Sequence, residues 1–300
     1  MVSYNDRERA VYDPAATFAY TEVEAVYRED ADGAWRVRLY QPQGSGPFPA
    51  LLSVHGGAWT TDAWGNYART EKALAASGLV VASIQLRRAP VHKYPASVAD
   101  VNFGLRWLKA HARAFNASPD RAGTIGFSSG GHLVVLSALR PADPRYAALP
   151  LPESADASAV PAYVIAAWPV IDPIARYRLA QNANNTSLIA SHLGYFVDEA
   201  TMEEANPQQS VDSGERPAFL PPLLIIHGDA DTVVPPSHVQ RFTQSYRAAG
   251  GDADLQLFVG MPHGFLNASP GPEADRAVDV VKTFIARQLA PSAAGAHSRP

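Results

Sequence analysis

A serine attacks a carbonyl carbon only with help: a neutral imidazole to take its proton, a carboxylate to fix the imidazole's tautomer, and N–H donors for the oxyanion. The chain offers a candidate for each part. Ser128 stands at the centre of Gly126-Phe127-Ser128-Ser129-Gly130, a G-x-S-x-G turn. Such a pentapeptide arises by chance in about one chain in ten of this length, so it counts only together with partners. Downstream, Gly228-Asp229-Ala230-Asp231-Thr232-Val233-Val234-Pro235 carries an acid and Gly260-Met261-Pro262-His263-Gly264-Phe265 a histidine. Asp231 is the favoured acid, because Asp229 lies closer to the preceding strand and suits a turn-bracing role. Upstream, His55-Gly56-Gly57-Ala58-Trp59 follows an apolar run. Its glycine pair can turn N–H groups toward a substrate, which makes Gly57 and Ala58 the expected oxyanion donors beside the N–H of Ser129. His55 is expected to bond within its own loop, and His132, one turn into the following helix, to pack or cap.

Positioning these residues requires strands that end where they begin. Tyr20 to Arg28 and Trp35 to Tyr40 read as an antiparallel hairpin across Asp30 to Gly33. Ala50 to His55, Leu79 to Leu86, Arg121 to Phe127, Val160 to Trp168, Leu223 to His227 and Asp254 to Val259 are short apolar runs of strand length. Helical patterns separate them at Asn66 to Ser77, Pro95 to Phe115, Ser129 to Arg140, Ser237 to Ala249 and Glu273 to Leu289, with Asn116 to Pro119 as the stop of the second. Alternating strands and helices imply a mainly parallel sheet with helices on both faces, whose ligands bind beyond the carboxyl ends of the strands. His55, Ser128, Asp231 and His263 all follow such ends. The stretch from Asp172 to Pro221 breaks the alternation with helical pieces at Asn185 to Leu193 and Glu199 to Ala205, and reads as a cap insertion at that edge. One domain over residues 1–300 is expected, with a flexible tail from about 291.

Composition narrows the function classes. A net charge of −4 and a pI near 6.1 leave no electrostatic footprint for nucleic acid. Cysteine is absent, which excludes disulfides, thiolate metal sites and a cysteine nucleophile. None of the histidines falls in a metal-binding spacing, so neither metal nor cofactor is expected. No run of about 18 apolar residues occurs, and the first residues lack the apolar stretch of a signal peptide; a cytoplasmic protein without membrane contact is expected. Arginine dominates over lysine beside abundant alanine and proline, the usage of a GC-rich bacterial genome. Among Trp59, Trp64, Tyr67, Trp168, Tyr195 and Phe196, Trp59 and Trp168 lie nearest strand ends and are the leading candidates to line a substrate pocket.

Serine, acid and histidine in that chain order are the α/β-hydrolase arrangement. The set H-G-G-A-W, G-F-S-S-G-G-H, G-D-A-D-T-V-V-P and P-H-G-F resembles the esterase/lipase branch of that superfamily, related to hormone-sensitive lipase and to acetyl xylan or feruloyl esterases. Leu86 to Pro90 followed by Tyr94-Pro95-Ala96 is similar to a Y-R-L-A-P…F-P-A segment of the same branch. The resemblance runs from about Ala50 to Leu289. It implies an α/β-hydrolase fold and a serine carboxylesterase with Ser128 as nucleophile, His263 as base, Asp231 as its orienting acid and a small-molecule ester as partner. Ala58-Trp59 in place of a third glycine is similar to the kynurenine formamidase and feruloyl esterase side, which keeps an arylformamidase or amidase open. A ligand-binding protein on the same fold usually lacks a triad member, whereas here all three residue types are present.

Overall fold

The computed structural model describes residues 12–213, 219–268 and 271–290. Its centre is one eight-stranded sheet in the order β1-β2-β4-β3-β5-β6-β7-β8. The hairpin of β1 (Tyr20–Asp30) and β2 (Gly33–Pro42) pairs antiparallel, and β2 runs antiparallel to β4 (Val80–Ile84). From there every pairing is parallel: β4 with β3 (Phe48–Val54), β3 with β5 (Ala117–Phe127), then β6 (Val164–Ala167), β7 (Leu223–Gly228) and β8 (Ala253–Phe258). Parallel strands must be covered on both faces, which is why β3, β4, β6 and β7 are buried at every position.

The covering helices are α1 (Ala68–Ala76), α2 (Ala96–His111), α3 (Ser129–Leu139), α8 (Pro236–Ala248) and α10 (Pro272–Leu289). One core cluster packs Val98, Val101, Leu105 and Leu108 of α2 with α3 and with Val239 and Phe242 of α8. The other joins Leu74 of α1 to Val278, Val281, Phe284 and Ile285 of α10. The spacing of α2 and α10 is therefore spent as expected, one apolar stripe per helix. α2 shortens into a 3-10 turn at Ala112–Phe115. Asn116 then takes φ 55°, and its carbonyl accepts from Phe48 N at 2.8 Å. The chain re-enters the sheet at Ala117, so Ala117 to Pro119, expected as a helix stop, already belong to β5.

Between β6 and β7 lie α4 (Pro173–Asn182), α5 (Thr186–Phe196), α6 (Glu199–Glu204) and α7 (Pro207–Asp212). Each begins on a polar side chain that satisfies an otherwise unpaired backbone N–H: Asp172, Asn185, Asp198 and Asn206. Pro173 and Pro207 occupy first-turn positions where a missing N–H costs nothing. A short α9 (Phe265–Ala268) follows the histidine loop. The expected tail from 291 lies outside the described residues.

Candidate active site

β5 ends at Phe127 and α3 begins at Ser129, so the whole reversal falls on Ser128, which takes φ 53° and ψ −116°. A non-glycine residue there costs on the order of 1–3 kcal/mol. Its neighbours hold it: Ser128 N–H donates to Ala167 O at 2.9 Å, and its carbonyl accepts from His132 N and Val170 N, both at 3.2 Å. The flanking glycines serve close approach. A Cβ on Gly126 would strike the Gly130 carbonyl, and one on Gly130 the carbonyls of Val54 and His55. Gly130→Ala is therefore expected to lower stability by about 3 kcal/mol, read as an earlier urea midpoint; an unchanged midpoint would mean that the turn relaxes around the methyl group.

Ser128 Oγ lies 2.9 Å from His263 Nε2, and His263 Nδ1 lies 2.7 Å from Asp231 Oδ2. The loops after β7 and β8 supply the acid and the imidazole. Asp229 ties those loops together by accepting from Gly260 N at 2.6 Å. Asp231 is 4% exposed, and its Oδ1 accepts from the N–H groups of Val233 and Val234 at 2.8 and 2.9 Å. Burial by itself would raise its pKa, but the hydrogen bond and charge of His263, with the Val234 N–H, hold it below the usual carboxylate range. An ionised Asp231 can only accept, so His263 Nδ1 carries the proton and Nε2 presents its lone pair to Ser128.

The Gly56–Trp59 loop lies against the nucleophile: a Cβ on Gly56 would come within 3.2 Å of that of Ser128. Gly57, Ala58 and Trp59 take φ of 106°, 49° and 62°, so the left-handed turn extends two residues beyond the glycine pair. Thr60 N and Thr61 N close it on Gly57 O at 3.1 and 2.8 Å. Among the described residues, no backbone carbonyl accepts from the N–H groups of Gly57, Ala58 or Ser129. Trp59 N donates to Ser129 Oγ at 3.3 Å, which joins the loop to the start of α3. His55 Nδ1 donates to Gly56 O at 2.7 Å, within its own loop.

The two tryptophans are placed differently from the expectation of a pocket lining. Trp59 is 3% and Trp168 1% exposed, because neighbouring rings consume their faces. Trp168 packs against Phe127, Phe265 and His263, and so supports the imidazole from behind. Trp59 is stacked on Tyr195 at 5.4 Å, meets Phe196 and His192 edge-on, and donates from Nε1 to His132 Nδ1 at 3.2 Å. Tyr67 stacks on Phe127 and its hydroxyl accepts from Gly56 N at 3.2 Å, whereas Trp64 lies under Arg38. Residues that the sequence reading does not single out as functional, His192 and Arg176, complete the surroundings of Trp59. Only the capping pair Asp172-Pro173 signals the helix that carries Arg176.

Burial pushes His132 down to about 4 and His192 to about 3 from an ordinary value of 6.5. Both are neutral in the folded protein, while the unfolded chain takes up protons below about pH 6.5. The unfolded state then binds more protons, so this stability is complete above about pH 6.5 and is lost as pH falls toward 4. For His132 alone the expected loss between pH 7 and 4 is about 3 kcal/mol, read by urea unfolding across that range. His132→Gln, which can still accept from Trp59 and donate to Ala205 O, should flatten the descent; an equal descent would contradict the account.

The BD-FAE family model matches residues 37–246, which hold the nucleophile turn, the Gly-Gly loop and the acid. The chain belongs to the BD-FAE family. Among curated proteins it is similar to Esterase LipC of Mycobacterium tuberculosis, 33% identical over 73% of this chain and 53% of the relative. It is also similar to the isoprenylcysteine alpha-carbonyl methylesterase ICME of Arabidopsis thaliana, 27% identical over 76% of this chain and 53% of that protein. The BD-FAE chain thus spans little more than half the length of the curated relatives it matches. Among solved structures, propionate-bound esterase Est2 of Thermogutta terrifontis superposes with a TM-score of 0.72 at 24% identity, covering 90% of this chain and 96% of that one. A hyperthermophilic esterase from Pyrobaculum calidifontis gives 0.74 at 21% identity over 92% and 87%. The BD-FAE chain accordingly has the α/β-hydrolase fold, with the mainly parallel sheet that the strand pattern implies. No helix among its described residues is long and apolar enough to cross a membrane.

Proposed function

We propose that the protein is a serine carboxylic-ester hydrolase that works through an acyl-enzyme on small, soluble esters. The observation that carries this reading is the unbroken relay from Asp231 through His263 to Ser128, at 2.7 and 2.9 Å. Ser128 attacks the ester carbonyl while His263 Nε2 takes its proton. The N–H groups of Gly57, Ala58 and Ser129 receive the developing oxyanion, a term worth roughly 10²–10³ in rate per donor. His263 then gives the proton to the departing alcohol, and a water activated by the same imidazole releases the acid. Asp231 stays ionised throughout and stabilises the imidazolium. The described elements form one domain, with α4 to α7 as a cap over this edge.

Short acyl groups fit best, because the rings of Trp59, Tyr195 and Phe196 fill the space behind the Gly-Gly loop. The names of the similar proteins, an esterase and a methylesterase, support an ester over an amide. The test is a panel of p-nitrophenyl esters from acetate to laurate, run beside an aryl formamide. Highest kcat/KM is expected for the short esters. A formamide cleaved faster than any ester would replace this reading by an arylformamidase, and hydrolysis that favours laurate would contradict the short acyl site.

A further inference from the structure

Arg176, on α4, is 1% exposed, yet no carboxylate lies within ion-pair distance of it among the described residues. Its Nε donates to His192 Nε2 at 3.3 Å, and its guanidinium lies 5.1 Å from the centre of the Trp59 ring. Its Nη2 is buried without a hydrogen-bond partner among the described residues. The acids in its neighbourhood are engaged elsewhere. Asp231 accepts from His263, Val233 and Val234, and Asp172 accepts from Ala175 N and Asn206 Nδ2. The surrounding imidazoles are neutral and are held so partly by Arg176 itself. A fixed cation is thus sealed into a nest of rings, within reach of the charge of Asp231 and one ring away from the oxyanion loop.

A buried guanidinium without an anion carries an uncompensated desolvation cost. Cation–π contact with Trp59 offsets a part of it. An apolar side chain would fill the same space without that cost. We infer that Arg176 is a binding residue for a carboxylate carried by the substrate, which makes half-esters and other carboxylate-bearing esters the substrate class. The inference rests on the esterase reading above. Planar two-point pairing of guanidinium with carboxylate uses the Nη2 that is otherwise unsatisfied. Entry requires α4 and α5 to shift, and these helices pack chiefly on each other and on α6.

The experiment compares kcat/KM for mono-p-nitrophenyl glutarate against p-nitrophenyl butyrate, and for 4-acetoxybenzoate against 4-acetoxytoluene, in the natural protein, Arg176→Met and Arg176→Lys. One pair should show a preference for the anionic member of at least about tenfold, lost in Arg176→Met and partly kept in Arg176→Lys. The pair that responds tells whether the carboxylate sits on the acyl or the alcohol side. An unchanged ratio in Arg176→Met, or equal loss on both members of each pair, would overturn the inference and leave Arg176 a packing residue. A second readout needs no hydrolysis. Glutarate should quench tryptophan fluorescence saturably in Ser128→Ala and fail to do so in Ser128→Ala/Arg176→Met. Saturable glutarate binding in a protein that cleaves no ester would uphold the carboxylate site while refuting the esterase; ester cleavage without glutarate binding would do the reverse.

Discussion

Ser128→Ala is expected to lower kcat on a short-chain p-nitrophenyl ester by on the order of 10⁵–10⁶, with little change in the melting temperature. The reason is local. The hydroxyl is the atom that His263 Nε2 meets at 2.9 Å, and among the described residues no other hydroxyl hydrogen-bonds to that nitrogen. Removing one oxygen leaves the backbone of the turn intact, since the Ser128 N–H and carbonyl keep their bonds to Ala167, His132 and Val170. The methyl group of alanine occupies the Cβ position already present, so the strained φ of 53° is neither created nor relieved. The measurement is steady-state hydrolysis beside a thermal melt. Activity within tenfold of the natural protein would remove Ser128 from the reaction, and a collapsed melt would mean that the hydroxyl serves the fold.

Asp231→Asn should cost about 10⁴ in kcat, far more than the loss of one neutral hydrogen bond would suggest. The two backbone donors decide which way the new amide points. Val233 N–H and Val234 N–H both address Oδ1, so the amide oxygen must stay there and the NH₂ must face His263. An NH₂ cannot accept, so His263 Nδ1 gives up its proton and Nε2 takes it. The imidazole then stands in the wrong tautomer, with an N–H directed at Ser128 where a lone pair is needed. Asp231→Glu offers a contrast, because it keeps the charge but cannot keep all three short bonds around a 4% exposed carboxylate. A proton resonance for His263 Nδ1–H, present in the natural protein and lost in Asp231→Asn, would read the tautomer directly. Activity within tenfold of the natural protein would show that the histidine needs no orienting acid.

Much of this was legible in the sequence. The strands that carry Ser128 and Asp231 finish as buried, largely apolar runs leading into glycine-bearing loops, and burial on both faces leaves such runs little freedom to be anything else, whereas β8, which leads to His263, is half-buried along most of its length. The preference for Asp231 over Asp229 rests on distance from the strand end, and the structure places Asp229 on Gly260 N and Asp231 on His263. What could not be read is side-chain direction. Trp59 and Trp168 follow strand ends, as pocket residues often do, but positive φ at both turns their rings into the packing. Nothing in one-dimensional spacing announces that sign change at a non-glycine residue. The start of β5 at Ala117 was hidden for a related reason, since Asn116 in the left-handed region reverses the chain within one residue. The starts of α4 and α7 are marked by Asp172-Pro173 and Asn206-Pro207, a cap followed by proline, yet the helices are short and their apolar spacing is weak. Arg176 gave no signal at all, because its burial is created by α5, ten or more residues further along, and by the loop of Trp59.

The most direct test of the central claim is to trap the acyl-enzyme. Rapid mixing with a short-chain p-nitrophenyl ester, followed by acid quench and peptide mass mapping, should show one acyl group per chain on the peptide that contains Ser128. The adduct should be absent in Ser128→Ala and slow to form in Asp231→Asn. Acylation of another residue, or full turnover with no adduct on Ser128 at any mixing time, would contradict the account.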